Sequence, residues 1–174
     1  MLDAYQDYWD ELVESSEYEY SWKCTLAYVD DNNIPECFVQ YEDVDNRYSY
    51  TTLLFYKNGK VYEFEDSDAG LGYVAYIDKK NIICTGGMYG SYVYNGYHKW
   101  VNSSATFEKI GCSVIWNGAG EYHYYIGIDA ATQSGKGVSK EKYDDYNDSF
   151  GKDEDYGEKE IIYDTVQEAY EAIK

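Results

Sequence analysis

Carboxylate side chains recur at helical spacing in three segments of this sequence, and their chemistry is to bind cationic groups. The first segment carries Asp3, Asp7, Asp10, Glu11 and Glu14, the second Glu141, Asp144, Asp145 and Asp148, and the third Asp164, Glu168 and Glu171. Like charges at i, i+4 cost about 0.2 to 0.5 kcal/mol per pair. Three stripes with this cost indicate selection for an anionic surface, and ordinary solvation of outer helix faces is the alternative.

Tyrosines accompany these carboxylates. The chain has 24 tyrosines against 5 phenylalanines, and Tyr143 and Tyr146 lie on the second acidic segment. Tyrosine provides a large contact area for little lost rotamer freedom. We therefore expect the three stripes with Tyr143 and Tyr146 to form a binding surface for a groove lined by lysine and arginine, of the kind that normally holds nucleic acid.

The overall charge restricts the partner. The chain of 174 residues has 33 acids against 14 bases, a net charge of -19, and a single arginine, Arg47. Phosphate backbones are bound through lysine and arginine, so direct nucleic-acid binding is disfavoured and a basic protein surface is the expected partner. The acid is concentrated at the ends: residues 1–68 have 17 acids and 4 bases, 69–140 have 4 and 6, and 141–174 have 12 and 4.

The segment Tyr28 to Cys37, YVDDNNIPEC, resembles the calcium loop D-x-D-x-D-G-x-x-D/E of FG-GAP-type β-hairpins. The resemblance implies that Asp30, Asn32, the backbone carbonyl of Ile34, and Glu36 are ligands of a calcium ion, which takes about six to eight oxygens. Tyr28 stands in the place of the first ligand and Asn33 in the place of the glycine. These departures imply a retained turn with a weak or empty site.

Most of the chain is also similar to an uncharacterised, acidic, tyrosine-rich domain of gut Gram-positive bacteria. The similarity rests on the Ile34-Pro-Glu hairpin, an Asn-Gly-Lys hairpin, the glycine- and tyrosine-rich strands at 86–97 and the Val-Ser-Lys-Glu-Lys-Tyr start of a helix at 138–143. It implies a fold and no activity. The family usually follows a lipoprotein signal or membrane anchor, and this chain shows neither.

The motifs of common enzymes are missing from the sequence. It contains no G-x-S-x-G, no phosphate-binding P-loop and no H-E-x-x-H. A thiol and base pair of Cys112 and His123 is conceivable, but an ordinary strand histidine is favoured. Cys24, Cys37, Cys84 and Cys112 lack zinc-site spacing, which favours buried free thiols in a reducing compartment. We predict a protein that is not an enzyme and has no cofactor apart from the calcium implied above.

The elements that must position these residues follow from hydrophobic periodicity. We predict a single domain over 1–174, with a helix at 1–15, a β-meander at 21–128 and an acidic helical tail at 139–174. Asn58-Gly59 and Asn95-Gly96 predict type I′ hairpin turns, and 78–81 and 117–120 predict two further reversals. The fold class is α+β, a curved antiparallel β-meander with an N-terminal helix and two short C-terminal helices.

Two functional hypotheses follow. The first is a non-enzymatic acidic protein that blocks the basic groove of a nucleic-acid-binding protein, as phage-type inhibitors of bacterial defence nucleases do, anti-CRISPR proteins among them. The second is a cell-surface or secreted binding module with a calcium-stabilised hairpin. The first residues show no basic and apolar signal segment, so we expect a cytoplasmic protein; an extracellular location is the alternative if a signal or anchor precedes Met1.

Overall fold

The computed structural model describes residues 1–15, 20–43, 49–64, 72–77, 79–118, 120–128, 130, 136–151, 156–157 and 161–174. The chain divides into two compact units. Unit 1 comprises Met1–Glu65 and Lys159–Lys174, and unit 2 comprises Asp66–Glu158. Each unit contains one antiparallel sheet. That all 174 residues form a single domain stays a prediction.

The helices and strands alternate little along the chain, because most strands follow one another directly. In chain order they are α1 (Leu2–Ser15), β1 (Tyr20–Ala27), β2 (Glu36–Asp43), β3 (Ser49–Lys57), β4 (Lys60–Glu63), β5 (Gly72–Ile77), β6 (Ile82–Tyr89), β7 (Tyr92–Val101), β8 (Thr106–Gly118), β9 (Glu121–Ile126), β10 (Lys136–Val138), α2 (Lys140–Asp148), β11 (Tyr156–Gly157) and α3 (Val166–Ile173). The predicted α+β class is confirmed: successive antiparallel strands follow an N-terminal helix and precede two short C-terminal helices. The strands of the described residues form two sheets instead of one.

Unit 1 is a four-stranded sheet in the order β1-β2-β3-β4, covered by α1 and α3. One face of the sheet supplies Cys24, Leu26, Cys37, Val39 and Leu54 to its core, all at most 1% exposed. The two helices add Tyr5, Trp9, Val166 and Ala169 to the same cluster. Residues from both ends of the chain therefore share one core.

Unit 2 is a seven-stranded sheet in the order β10-β9-β8-β7-β6-β5-β11. Its central pairs are long hairpins, and the register of β7 against β8 shifts between Tyr97 and His98. The helix α2 packs on one face of this sheet, and Phe150, just after the helix, stacks on Tyr97 with ring centroids 4.2 Å apart. Gly111 lies directly below Phe150, and its lack of a Cβ makes room for that ring.

The turn predictions had mixed outcomes. Asn58 and Gly59 have φ of 51° and 82° between β3 and β4, which confirms the first Asn-Gly hairpin. Residues 79–81 reverse the chain between β5 and β6, and Gly120 reverses it between β8 and β9, as predicted; Asp78 and Ala119 lie outside the described residues.

The prediction of a second Asn-Gly hairpin was wrong. Asn95 and Gly96 lie inside β7, paired with Gly86 and Thr85 of β6. Asn95 is buried, and its Nδ2 donates hydrogen bonds to Ser113 Oγ at 3.3 Å and to Tyr143 Oη at 3.2 Å. These tertiary contacts outweigh the local turn preference, and the chain reverses at Gly90 and Ser91 instead.

The ends of the two C-terminal helices follow the sequence signals. Ser139 caps α2 by accepting a hydrogen bond from the backbone N–H of Lys142, and Thr165 caps α3 by accepting one from the N–H of Glu168 at 3.2 Å. The four cysteines are buried thiols outside any disulfide, as predicted.

Candidate acidic binding surface

The helices α1 and α3 lie side by side on the same face of the unit 1 sheet. α3 contacts β1, α1 contacts β3 and β4, and the two helices contact each other. Their inward faces enter one core through Tyr5 and Trp9 of α1 and Val166 and Ala169 of α3. Their opposite faces therefore belong to one surface.

This surface carries exposed carboxylates from both ends of the chain. We define it by its acids and call it the acidic two-helix surface: Asp3, Asp7, Asp10, Glu11, Glu14, Asp164, Glu168 and Glu171. Each of these residues is exposed. The N-terminal and C-terminal acidic stripes of the sequence therefore lie on one surface of unit 1.

Cations reach the α3 side of the acidic two-helix surface. Lys23 pairs with Asp164, and Lys174 pairs with Glu171 at 2.7 Å. The Lys174 hydrogen bond lowers the pKa of Glu171. Within the described part of the chain, no ion pair involves a carboxylate of α1. Unit 1 as a whole has 19 acids and 6 bases, a net charge of -13.

The second acidic stripe lies in the other unit. On α2, Glu141, Asp145 and Asp148 are exposed, and Asp144 pairs with Lys140 at 2.5 Å. The predicted contact residues therefore fall into two groups, one on each unit. Unit 2 has 14 acids and 8 bases, a net charge of -6.

The two tyrosines predicted as contact residues serve the fold of unit 2. Tyr143 is 3% exposed, and Tyr146 is half-buried. Burial raises the pKa of the Tyr143 hydroxyl, which accepts the hydrogen bond from Asn95 under α2. The Tyr146 hydroxyl accepts one from the backbone N–H of Cys112 at 3.3 Å. Tyr143 therefore holds α2 on the sheet and offers no exposed ring to a partner.

The predicted calcium loop satisfies its own polar groups. Asp30 is 5% exposed, and its carboxylate accepts hydrogen bonds from the backbone N–H of Asn32 at 3.0 Å and from Asn32 Nδ2 at 2.9 Å. Asn32 Oδ1 accepts the N–H of Ile34 at 2.7 Å. Asn33 takes the left-handed conformation, φ 60°, in the position of the glycine of the calcium-loop pattern. The predicted turn is therefore present and is held by side chain to backbone hydrogen bonds.

Glu36 closes this loop from inside the protein. It is 1% exposed, and its Oε2 accepts the backbone N–H of Val29 at 2.7 Å. Burial, with a smaller contribution from the nearby carboxyl of Asp30, raises the pKa of Glu36 to about 8. A carboxyl that is protonated at neutral pH is a poor calcium ligand.

In this conformation the loop residues do not fit a calcium ion. Within the described ranges, no group of three or more histidine, cysteine, aspartate or glutamate side chains could hold a metal. Calcium binding at Asp30, Asn32, Ile34 and Glu36 stays a prediction of the resemblance, and it would require the oxygens of Asp30 and Asn32 to give up these hydrogen bonds.

The suggested thiol and base pair does not form. His123 lies opposite Trp116 on β8, and the two rings stack with centroids 5.1 Å apart. Cys112 is four residues further along β8, which places it roughly 13 Å away along the strand. His123 therefore has no contact with Cys112, and its ring packs against tryptophan.

Sequence reasoning missed an exposed apolar patch in unit 2. Met88 of β6 is 72% exposed and Tyr122 of β9 is 63% exposed, and both line one cavity of about 350 Å³. The alternation of their strands predicts only that some side chains point outward. Which of them are left exposed depends on tertiary packing that the alternation does not describe.

Comparison with known proteins gives no relative. No protein family, no curated protein and no solved structure matches this chain. Among the helices of the described residues, none is long and apolar enough to cross a membrane. The interpretation of the surfaces therefore rests on their own chemistry.

Proposed function

We propose that this protein is a non-enzymatic acidic binding protein that docks its acidic two-helix surface into the basic groove of a nucleic-acid-binding protein and competes with the nucleic acid there. The observation that supports this is the shared layer of α1 and α3, with all eight carboxylates exposed and no ion pair to α1 among the described residues. A bacterial defence nuclease is the partner class we propose, with a cytoplasmic location for both proteins.

The spacing of charge on α1 supports the mimicry. Five carboxylates lie between Asp3 and Glu14, a rise of about 16 Å along the helix axis, or one charge per roughly 4 Å. One strand of DNA carries one charge per roughly 3.4 Å. A groove that tracks a phosphate backbone thus meets a similar line of negative charge on α1.

The α1 carboxylates, which have no ion pair among the described residues, can steer a basic partner toward this surface. Carboxylates already paired with lysine contribute little to the external potential, whereas the α1 carboxylates contribute fully. A field of one sign raises the association rate with a basic partner and makes that rate fall with salt. We therefore expect α1 to govern association and the α3 side to be the less charged border of the contact.

A competition experiment tests the proposal. Purified bacterial nucleases with basic grooves are loaded with fluorescent nucleic acid, and its displacement by this protein is followed at about 0.05 and about 0.5 M salt. We expect displacement that weakens at the higher salt. Reversal of charge in Asp10→Lys should weaken competition at least about threefold, and the quadruple variant at Asp3, Asp7, Asp10 and Glu14 should abolish it.

The matched control is Glu108→Lys. Glu108 is exposed on β8 of unit 2, where it pairs with Lys99 at 3.1 Å, and this substitution changes the net charge by the same amount as Asp10→Lys. Competition by Glu108→Lys should stay within about twofold of the native protein. Displacement from no nuclease of the panel, or equal loss in both variants, would contradict the proposal.

A further inference from the structure

Three Asn-Gly dipeptides occur in this chain, and the structure places them in three different surroundings. Asn58-Gly59 forms the turn between β3 and β4, Asn95-Gly96 lies inside β7, and Asn117-Gly118 ends β8. In such a dipeptide the backbone nitrogen of glycine can attack the side-chain amide carbon of asparagine, because glycine has no Cβ to hinder the approach. The reaction needs only water, so its rate depends on what surrounds the pair.

The reaction exchanges the side-chain amide for a carboxyl group in two steps. In the first, the glycine nitrogen gives its proton to water and forms a bond to Cγ of the asparagine. The C–N bond of the side-chain amide then breaks, and the nitrogen takes up a proton and leaves as ammonia. In the second step, water adds to one of the two carbonyl carbons of the cyclic imide, and the bond from that carbon to the ring nitrogen breaks. The product is aspartate or isoaspartate, and no oxidant or reductant takes part.

The Asn58-Gly59 pair is open to this reaction. Both residues are exposed, and a Cβ built on Gly59 would meet no atom within 4 Å. Among the described residues, neither the Asn58 side chain nor the N–H of Gly59 forms a hydrogen bond. Water therefore has free access, and no tertiary contact has to break before the side chain turns toward the nitrogen.

Positive charge lies on both sides of this pair. Lys57 and Lys60 flank the turn and lie opposite each other across β3 and β4. Their charge favours the anionic form of the Gly59 nitrogen, which is the nucleophile of the first step. Like charges opposite each other on neighbouring strands are destabilising, so a carboxylate in the turn would also reduce the repulsion between the two lysines. Both the attack and its product are therefore favoured here.

The Asn95-Gly96 pair is protected by burial. Asn95 is 3% exposed, and its Nδ2 donates to Ser113 Oγ and Tyr143 Oη. Gly96 is paired with strands on both sides, in the centre of the unit 2 sheet. Cyclisation at this pair would have to break these bonds and admit water to the core, which requires extensive opening of unit 2.

The Asn117-Gly118 pair is exposed at its asparagine but is held by its backbone. The N–H of Asn117 donates to the carbonyl of Ser91 at 2.8 Å, and Gly118 pairs with Glu121 of β9. A Cβ at Gly118 would lie 2.4 Å from the ring of Trp116, so that ring covers the glycine. This pair therefore separates the effect of an exposed asparagine from that of an accessible glycine.

From these surroundings we infer that Asn58 is a site of spontaneous deamidation, with Gly59 as the nucleophile and water as the second reactant. Asn95 and Asn117 keep their amides while the chain is folded. The φ of 51° at Asn58 belongs to the ordered turn, which must move before the nitrogen meets Cγ. The strand β4 has four residues and lies at the end of the sheet order of unit 1, where strands open more readily than in a sheet centre. The inference does not depend on the proposed function.

The two products differ in their effect on unit 1. Aspartate keeps the backbone of the turn and tolerates its positive φ. Isoaspartate carries the main chain through its side-chain carbon, which lengthens the turn and disturbs the register of β4 against β3. The strand β4 carries Glu63, whose carboxylate accepts a hydrogen bond of 2.6 Å from the Tyr8 hydroxyl of α1. Isoaspartate at this position therefore loosens one attachment of α1, whereas aspartate does not.

Ageing of the purified full chain tests the inference. The protein is kept in mildly alkaline buffer, and samples are digested at acidic pH, where no further cyclisation occurs. Mass spectrometry with chromatography then separates the peptides that contain asparagine, aspartate and isoaspartate. A second sample in guanidinium chloride gives the rate of each pair without the fold. In the folded protein we expect Asn58 to convert at least about tenfold faster than Asn95 or Asn117, and in denaturant we expect the three rates to agree within about threefold.

Variants check the nucleophile and the site. Gly59→Ala places a methyl group beside the attacking nitrogen and should slow conversion of Asn58 at least about tenfold. Because alanine is strained at a φ of 82°, this rate is also measured in denaturant, where the fold has no influence. Asn58→Asp removes the amide and should abolish the acidic form that accumulates with time. Asn117→Asp, with the same change of charge, is the matched control and should leave the rate at Asn58 within about twofold.

Contrary results are equally clear. An amide at Asn58 that persists while the unfolded sample converts would overturn the inference, because the ordered turn would then protect the pair. Equal rates at Asn58 and Asn117 in the folded protein would also overturn it, since the accessibility of the glycine would have no effect. An undiminished rate in Gly59→Ala would exclude the glycine nitrogen as the nucleophile.

Discussion

Oε2 of Glu36 accepts a hydrogen bond of 2.7 Å from the backbone N–H of Val29, and both residues are fully buried in unit 1. The Tyr5 hydroxyl donates to the carbonyl of neighbouring Pro35 at 3.1 Å, so α1 is tied to the same loop. A carboxyl group thus lies in the core of the unit beneath the acidic two-helix surface. Its protonation state affects how firmly that surface is held.

The first prediction concerns stability against pH. The pKa of Glu36 is raised by burial to about 8 in the folded protein from 4.5, so the folded state keeps a proton that the unfolded state loses. The contribution of Glu36 to stability is therefore fully present below about pH 4.5 and falls as pH rises toward about 8. Asp30 has a raised pKa for the same first cause and acts in the same direction.

The variant Glu36→Gln checks this. It keeps an acceptor for the Val29 N–H and cannot ionise. In urea unfolding, the free energy of unfolding of the variant should therefore fall less between about pH 5 and pH 8 than that of the native protein, by on the order of a few kcal/mol. Glu168→Gln, at an exposed position of α3, is the control and should keep the native slope. Parallel curves for native and Glu36→Gln would exclude the buried proton.

The second prediction concerns calcium. Since the oxygens of Asp30 and Asn32 accept internal hydrogen bonds and Glu36 is protonated at neutral pH, we expect the melting temperature to be the same with calcium as with chelator. A metal that binds only the native state must raise the midpoint. A rise that is lost in Asp30→Asn would instead support the calcium-stabilised hairpin.

The third prediction concerns the packing of α2 and Phe150 on the unit 2 sheet. A Cβ at Gly111 would lie 2.6 Å from Phe150 Cζ and 2.7 Å from the Tyr146 hydroxyl, so Gly111→Ala should push the end of α2 from the sheet and cost about 1 to 3 kcal/mol of unfolding free energy. Gly137→Ala on β10 is the matched control, since its Cβ would meet only Tyr125 at 4.0 Å. Denaturant unfolding measures the stability of both variants. Equal stability of Gly111→Ala and Gly137→Ala would show that Phe150 moves aside freely.

The fourth prediction concerns the thiols. The pKa of the Cys37 thiol is raised, first by a hydrogen bond with Cys24 and second by burial. Both residues are 0% exposed. The thiolate is the reactive form. We therefore expect native protein to react slowly with a thiol reagent at neutral pH and all four cysteines to react in denaturant. Rapid labelling of Cys37 in the native state would show that unit 1 opens locally.

Sequence patterns predicted those parts of the fold that depend on neighbouring residues. The spacing of Tyr5 and Trp9 gave the buried side of α1, and Thr165 marked the start of α3. Asn58-Gly59 is exposed and forms a turn, whereas Asn95 in the same dipeptide is buried and bonds to Ser113 and Tyr143. Local propensity is overridden when a polar side chain finds partners across the sheet.

The sequence predicted which acids of the candidate surface are exposed, but not how the helices that carry them are grouped. Helical spacing predicted the exposed acids of α1, but it could not reveal that α3 lies beside α1 while α2 belongs to another sheet. Tyr143 looked like a contact residue because its sequence neighbours are acidic. Its burial depends on Asn95 and Ser113, which are 48 and 30 residues away in sequence.

The bridge between Cys24 and Tyr163 has a consequence for biosynthesis. Backbone hydrogen bonds of 2.8 and 3.0 Å join these residues, and Val166 and Ala169 complete the core that Tyr5 and Trp9 begin. Unit 2 is contained in Asp66–Glu158, so all of it is synthesised before the second part of unit 1, Lys159–Lys174. Domains generally fold as units during synthesis. Unit 1 therefore cannot complete its core until Val166 and Ala169 have been synthesised, and the acidic face of α1 is fixed in place only after the whole of unit 2 has been made.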